Sequence, residues 1–312
     1  MKYSPNTQIN LYGHDLTFQN IIGSFESKKL PNKVLLSGPK GLGKATLAYH
    51  FINYIFSKNE EHPYQVKTNT INNENKSYKQ IINKTHQNFH LIDLIDDKKN
   101  IEISQIREMI DYTNKSSFNN QPRIILIDNL ENLNLNSTNA LLKIIEEPND
   151  NVFFILIHNS NKKIAETLKS RCITYKINFT FTDTLNITNR IIKDDISALI
   201  NQDLISHYNT PGFFIEFLDF SKTQKIDLKN ISLNDFLSFL IEKNHYKKDM
   251  FIKNNIFNFI ELYYLKIFNT SDDKTRFITY YNKFIKKIYN TKKFNLDIES
   301  LFMEFKSKIL NV

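Results

Sequence analysis

The stretch Gly38-Pro39-Lys40-Gly41-Leu42-Gly43-Lys44 decides how the rest of this sequence is interpreted. It has the G-x-x-x-x-G-K spacing of a phosphate-binding loop, in which glycines let backbone N–H groups approach phosphates and the lysine neutralises the outer ones. The whole chain has six glycines, and three of them fall within this stretch. We therefore predict that the stretch binds a nucleotide and that Lys44 contacts its phosphates.

The flanking segments predict the strand–loop–helix order in which such loops occur. Val34-Leu35-Leu36 is a short apolar run typical of a buried strand, and residues 44–57 repeat apolar side chains at helical spacing. The N-terminus of that helix adds its dipole to the loop. A glycine-rich turn with a solvated lysine is the alternative interpretation, and this context disfavours it.

The positions that support hydrolysis depart from the pattern of an active ATPase. Ala45 stands where a Ser or Thr hydroxyl usually holds Mg²⁺, and Thr46 is rotated about 100° around the helix, within reach of an inner phosphate only. Asp128 ends the strand predicted over 123–128, where a metal-organising carboxylate belongs, unless it is only a turn residue. Asn129 replaces the glutamate that activates water in many ATPases. We expect ATP or ADP to bind without efficient turnover, with poor support for Mg²⁺.

The composition limits the class of protein and its partners. A net charge of +8 suits a polyanion partner, although a lysine-rich soluble surface would give the same value. Cys172 is the single cysteine, which excludes an internal disulfide and a cysteine zinc cluster and indicates a reducing compartment. The first residues contain no apolar signal core, and no apolar run approaches the roughly 20 residues of a membrane helix. We expect a cytoplasmic protein without a membrane partner.

The alternation of apolar runs and amphipathic segments predicts the fold. Up to about residue 180, strands alternate with helices, which indicates an α/β fold with a parallel sheet covered on both faces. Beyond that point the strand pattern disappears, and short helices broken at Thr210-Pro211-Gly212 precede long amphipathic helices. We predict a P-loop core over 1–180, a small helical lid over 181–220 and an all-helical domain over 221–312.

Four further motifs, together with the loop, resemble the AAA+ clamp-loader subunits of bacterial DNA polymerase III. They occur in the family's order between residues 10 and 175 and form a more specific pattern than the loop alone. The motifs are Leu11-Tyr12-Gly13-His14, Ile103-x-x-Ile106-Arg107, Asn139-Ala140-Leu141-Leu142-Lys143-Ile144-Ile145-Glu146-Glu147-Pro148 and Ser170-Arg171-Cys172.

The resemblance implies an AAA+ core, a lid and a C-terminal collar domain. Within the family, Ala45 and Asn129 make the chain most similar to the non-motor delta-prime type, because the gamma/tau motor has Thr and Glu at these positions. The lid arginine that senses nucleotide in many relatives is absent from Asn209–Phe213. Residues 59–87 lack the tetracysteine module of many relatives, so we expect no zinc.

For Arg171, the resemblance implies an arginine finger that reaches in trans toward the γ-phosphate held by a neighbouring motor subunit. An ordinary surface ion pair is the alternative. The implied partners are gamma/tau and delta type subunits in a pentameric ring, the sliding clamp and primed DNA. Two other functions remain as hypotheses: a DNA-dependent ATPase of the gamma/tau type, and a P-loop small-molecule kinase, which leaves the helical C-terminal part unexplained.

Overall fold

The computed structural model describes residues 3–95, 98–114, 121–147, 149, 151–270, 274–294 and 296–307. Pro148, which ends one of the motifs above, lies outside them. The chain forms two compact units: the first comprises Met1–Ile187 with Thr210–Gly212, and the second comprises Thr188–Asn209 with Phe213–Val312. The division into core, lid and third domain stays a prediction.

The first unit is built on a five-stranded sheet in which all neighbouring strands are parallel, in the order β2-β3-β4-β1-β5. This confirms the predicted parallel sheet. The strands are β1 (Lys33–Gly38), β2 (Phe89–Ile92), β3 (Arg123–Ile127), β4 (Val152–Asn159) and β5 (Ile173–Lys176). The fifth strand was not predicted, because it is a short edge strand whose residues are all exposed or half-buried and which has no apolar run.

Helices cover both faces of this sheet. Alternate residues of a strand point to opposite faces, and Leu36 and Leu35 accordingly belong to two different hydrophobic clusters. The first unit contains α1 (Asp15–Glu26), α2 (Lys44–Ser57), α3 (Lys76–Ile82), α4 (Ile103–Asn114), α5 (Leu135–Glu146) and α6 (Glu166–Lys169), while α7 (Phe181–Ile192) continues into the second unit. The predicted sheet with two covered faces is therefore confirmed.

Helix α2 has the predicted apolar face. Leu47, Ala48, Phe51 and Ile52 are buried in the cluster that also contains strand residues such as Val34. The burial of this face fixes the helix against the sheet, and its first turn therefore stays at the end of β1. The sheet thus positions the loop between β1 and α2.

Helices joined by turns and loops are the regular elements among the described residues of the second unit, which has no strand in them, as predicted. An aromatic core formed by Phe217, Phe236, Phe251 and Phe259 has ring centroids within 5.7 Å of one another for several pairs. Its helices are α8 (Ile196–Leu199), α9 (Pro211–Gln224, whose first residues belong to the first unit), α10 (Leu233–Glu242), α11 (His245–Lys248), α12 (Met250–Thr270), α13 (Lys274–Phe294) and α14 (Ile298–Phe305). Within the described ranges, none of the helices has the length and apolar character required to cross a membrane.

Candidate nucleotide site

The predicted phosphate loop connects β1 to α2 and has the backbone conformation that its glycines allow. Gly41 and Gly43 have φ of +86° and +73°, a region that side chains other than glycine rarely adopt. Gly43 is also the N-cap residue of α2, and no side chain caps this helix end. Its first-turn N–H groups therefore receive no side-chain acceptor, which leaves the helix end suited to an anion.

Each glycine of the loop is also packed against a different distant segment. A Cβ atom on Gly38 would lie 2.3 Å from the carbonyl oxygen of Ile177. One on Gly41 would lie 2.3 Å from Oγ1 of Thr210, and one on Gly43 would lie 3.2 Å from Nε2 of a buried histidine, His14. The tight packing at Gly38 and Gly41 excludes any larger residue without rearrangement. Sequence reasoning assigned these glycines to phosphate approach alone and missed this second requirement.

Lys44 is turned back onto the loop. Its side chain is buried, and Nζ donates hydrogen bonds to the carbonyl oxygens of Gly38 (2.8 Å) and Pro39 (2.6 Å). Burial lowers the pKa of Lys44 to about 8, while the negative charges of Asp128 and Glu131 act in the opposite direction. The structure therefore places the predicted phosphate-binding amine inside the loop and within the electrostatic influence of the predicted acid.

The other residues of the loop and of the first turn of α2 differ in burial. Lys40 is exposed, Leu42 is buried, and Ala45 is half-buried against the hydrophobic cluster around α2. Thr46 is also half-buried in the first turn of α2. The methyl group of Ala45 has no oxygen with which to ligate a cation, so the first turn of α2 lacks a metal-binding hydroxyl at this position.

Asp128 directly follows β3, at the same edge of the sheet as the loop. Burial raises the pKa of its carboxyl group to about 6, and the charge of Asp93 adds to this shift. The backbone N–H of Asn129 donates to Oδ1 of Asp128 (2.7 Å), and the Asn129 side-chain amide donates to Oδ1 of Asp93 (2.7 Å). Asn129 therefore acts as a hydrogen-bond donor in this site, and its side chain supplies no carboxylate base.

The carboxyl end of β4 contributes a further set of polar side chains. Oγ of Ser37 lies 3.0 Å from Nδ1 of His158, whose Nε2 lies 2.8 Å from the carbonyl oxygen of Lys162. Since that carbonyl can only accept, Nε2 donates to it. The carboxylate of Glu131 accepts the backbone N–H of Asn159 (3.0 Å). The Ser37–His158 contact connects β1 to β4, and the Glu131–Asn159 bond connects β4 to the segment that follows β3.

His14 is a site residue whose role sequence reasoning missed. Its Nε2 lies 2.8 Å from the carbonyl oxygen of Leu42, and its ring centroid lies 5.0 Å from that of Phe179. Burial lowers the pKa of His14 to about 4, so the ring is neutral at physiological pH, and Nε2 must be the protonated nitrogen. The Leu11–His14 motif was noted only as part of a resemblance, and nothing in the sequence indicated this contact.

Arg171 lies apart from these groups, after α6. One terminal nitrogen donates to the carbonyl oxygen of Thr167 (2.7 Å), and the other forms an ion pair with Glu146 at the end of α5 (2.7 Å). The Arg171 side chain is 36% exposed, so solvent reaches the guanidinium. The neighbouring Cys172 thiol is half-buried, and burial raises its pKa to about 11, which keeps it protonated. Within the described part of the chain, no three His, Cys, Asp or Glu side chains cluster as a metal site.

A family model described as "DNA polymerase III, delta subunit" matches residues 13–180, more than half of the chain. The chain belongs to this family. Its curated relatives include DNA polymerase III subunit delta' of Pseudomonas aeruginosa, 27% identical over 45% of this chain and 40% of the relative. The subunit gamma of Buchnera aphidicola (subsp. Schizaphis graminum) is 31% identical over 62% of this chain and 51% of the relative.

Subunit delta' of the same Buchnera is similar over a longer range, with 28% identity across 73% of this chain and 70% of the relative. The chain spans 40% of the length of the Pseudomonas delta' subunit and 51% of the length of the Buchnera gamma subunit. Several relatives are delta-prime subunits, which confirms the predicted delta-prime resemblance.

A solved gamma subunit-related protein of DNA polymerase III from Thermotoga maritima is similar in structure. It has a TM-score of 0.50 and 15% identity, and the match covers 94% of this chain and 97% of that one. At this identity the likeness shows the fold alone. That fold is the one predicted for this clamp-loader family, with a P-loop α/β part followed by helices.

Proposed function

We propose that this clamp-loader family member is a non-motor subunit of the delta-prime type. It assembles with gamma/tau and delta type subunits in a pentameric ring that loads the sliding clamp onto primed DNA in the cytoplasm. It binds ATP or ADP at residues 38–46 without efficient turnover, and it donates Arg171 to the ATPase site of a neighbouring subunit. The collar over 221–312 and the lid over 181–220 belong to this proposal.

The altered positions around the loop support a weak or inactive ATPase. Ala45 supplies no ligand for Mg²⁺. The side-chain amide of Asn129 donates a hydrogen bond to Asp93, and this neutral amide cannot accept a proton from water. Loss of a general base typically lowers a rate about 10²–10⁴-fold. Asp128 lies at the sheet edge, and with the neutral amide of Asn129 next to it the site retains binding groups more fully than catalytic ones.

The observation that carries the proposal is the exposure of Arg171 together with the two contacts of its guanidinium. Its guanidinium is exposed, and a surface ion pair such as that with Glu146 contributes only about 0–1 kcal/mol. The bond to Thr167 holds one end of the planar group, so the other end can exchange a carboxylate for phosphate oxygens at little cost. An arginine finger that acts in trans must be accessible to the neighbouring subunit, and one hydrogen bond within its own chain keeps it oriented.

The test is a reconstituted ring with Arg171→Ala in this subunit. An arginine finger contributes about 10³–10⁵-fold to the turnover of the site that it serves, so ring ATPase at that site and clamp loading should fall steeply. Arg171→Lys should restore little, because an ammonium lacks the planar fork. Lys169→Ala is the matched control, since it removes a neighbouring exposed cation from α6. Unchanged ATPase and clamp loading in the Arg171→Ala ring would refute the role in trans.

A motor of the gamma/tau type is the second candidate. It is favoured by the 31% identity to a gamma subunit. The purified chain should then hydrolyse ATP steadily in the presence of DNA, and Lys44→Ala should abolish that activity. This result would refute the non-motor assignment, whereas a chain that binds ATP without steady turnover supports it.

A further inference from the structure

Two consecutive peptide groups of the phosphate loop are anchored through their carbonyl oxygens by donors from distant segments. The backbone N–H of Gly212 donates to the Gly41 carbonyl (2.9 Å). The Nε2–H of His14 donates to the Leu42 carbonyl (2.8 Å). All of these residues belong to the first compact unit. The loop is therefore held from outside at adjacent positions.

The planar geometry of the peptide group determines where the N–H groups of the anchored loop point. The peptide bonds here are trans and planar, so the C=O and N–H of one peptide group point in opposite directions. When the carbonyls of Gly41 and Leu42 point outward to their donors, the N–H groups of Leu42 and Gly43 point to the other side of the loop. Successive N–H groups that point into one concavity form an anion-binding nest.

We propose that His14 and Gly212 are positioning residues of the nucleotide site, which orient the N–H groups of Leu42 and Gly43 toward the phosphates. This inference rests on the proposed nucleotide site. Preorganised donors bind an anion without the loss of conformational freedom that a mobile loop would incur. The ligand class is a polyphosphate, recognised here by backbone amides.

The surroundings of each positioning residue fit this role. His14 is buried between the loop and the Phe179 ring, so its direction is fixed by packing as well as by the hydrogen bond. At position 212 only glycine fits, because an added Cβ would lie 2.6 Å from Cα and 3.0 Å from the carbonyl oxygen of Gly41. Both neighbouring atoms are backbone, so the contact cannot relax by a side-chain movement.

The first test is a titration of the full chain with ATP, ADP and pyrophosphate. His14→Phe keeps the ring against Phe179 and removes the donor, so affinity should fall about tenfold, the ratio expected for one lost hydrogen bond to an orienting group. His14→Gln, which retains an N–H donor, should restore part of the affinity. Gly212→Ala should weaken binding by about the same factor.

His50→Phe is the matched control. His50 is also buried, and its Nε2 lies 3.0 Å from the carbonyl oxygen of Gln8, which is not a loop residue. This variant should lower the melting temperature as His14→Phe does, yet leave polyphosphate affinity unchanged. Equal affinity in wild type and His14→Phe would overturn the inference. So would equal losses in His14→Phe and His50→Phe, which would show a merely structural role.

The second test observes the two amides directly. Pyrophosphate should slow hydrogen exchange at the N–H groups of Leu42 and Gly43 in the wild-type chain, and His14→Phe should reduce this protection at Gly43 in particular. A chain that binds none of the three polyphosphates, or binds them without protecting these amides, would overturn the inference. The role of Arg171 would survive either result, because it is measured by the ATPase of the ring.

Discussion

Lys44→Met is expected to stabilise the chain at neutral pH while it removes the phosphate-binding amine. The wild-type amine is buried, and burial lowers its pKa from 10.5 to about 8. Between these values the unfolded chain binds more protons than the folded chain, so stability rises with pH across this window. Below about pH 8, the folded state carries the full cost of burying the charged amine.

The size of this cost follows from the two pKa values. The difference between 10.5 and about 8 corresponds to about 3 kcal/mol of destabilisation at pH 7. Met cannot replace the hydrogen bonds to the Gly38 and Pro39 carbonyls, which offsets part of the gain. The Gly38 carbonyl retains the backbone N–H of Ser160 as a donor. A net stabilisation of about 1–2 kcal/mol at pH 7 is therefore expected.

The assay is urea unfolding of wild type and Lys44→Met at several pH values. The difference in unfolding free energy should shrink by about 2 kcal/mol between pH 7 and pH 9.5, as the folded wild-type amine loses its proton. Lys40→Met removes an exposed lysine from the same loop and is the control for the loss of a loop cation. Parallel pH profiles for wild type and Lys44→Met would refute the reasoning.

Three further predictions concern stability. Asp128→Asn should stabilise the chain at pH 7 by up to about 3 kcal/mol, because the raised pKa of Asp128 lets the folded state bind more protons than the unfolded state between about pH 4 and 6. Urea unfolding should show that this gain vanishes by about pH 4. Gly38→Ala should destabilise by about 1–3 kcal/mol, since its Cβ meets the Ile177 carbonyl, and a rise in melting temperature would contradict this. Gly23→Ala should stabilise the protein by about 0.5–1 kcal/mol, because glycine is unfavourable inside a helix such as α1 and nothing lies within 4 Å of the added methyl group. Calorimetry measures the melting temperature of both glycine variants.

The sequence was informative about the fold where burial alone decides the local structure. The apolar runs at β1 and β3 and the apolar face of α2 are signals of this kind, and the structure confirms them. The edge strand β5 escaped prediction, because an edge position needs hydrogen bonds to β1 more than it needs apolar side chains. The predicted break between helices at Thr210-Pro211-Gly212 is present, and Pro211 starts α9 there, a position at which proline is favoured.

At the site, the sequence indicated which residues belong together along the chain and could not indicate how distant residues meet. The loop and Asp128 were predicted from their local spacing, and the structure places both at the carboxyl ends of parallel strands. The contacts from His14 and Gly212 to the loop depend on how separate segments pack, and no periodicity encodes that packing. The ion pair between Arg171 and Glu146 is of the same non-local kind.

The packing of the three loop glycines has a consequence for how such a loop changes over evolutionary time. At Gly38 and Gly41 a mutation would be disfavoured because it destabilises the fold, whether or not the loop still serves catalysis. Ala45 and Asn129 already carry side chains and face no requirement for glycine, so the catalytic positions are free to change first. A glycine signature of this kind therefore records the shape of the protein's interior, and its persistence in a sequence is no measure of enzymatic activity.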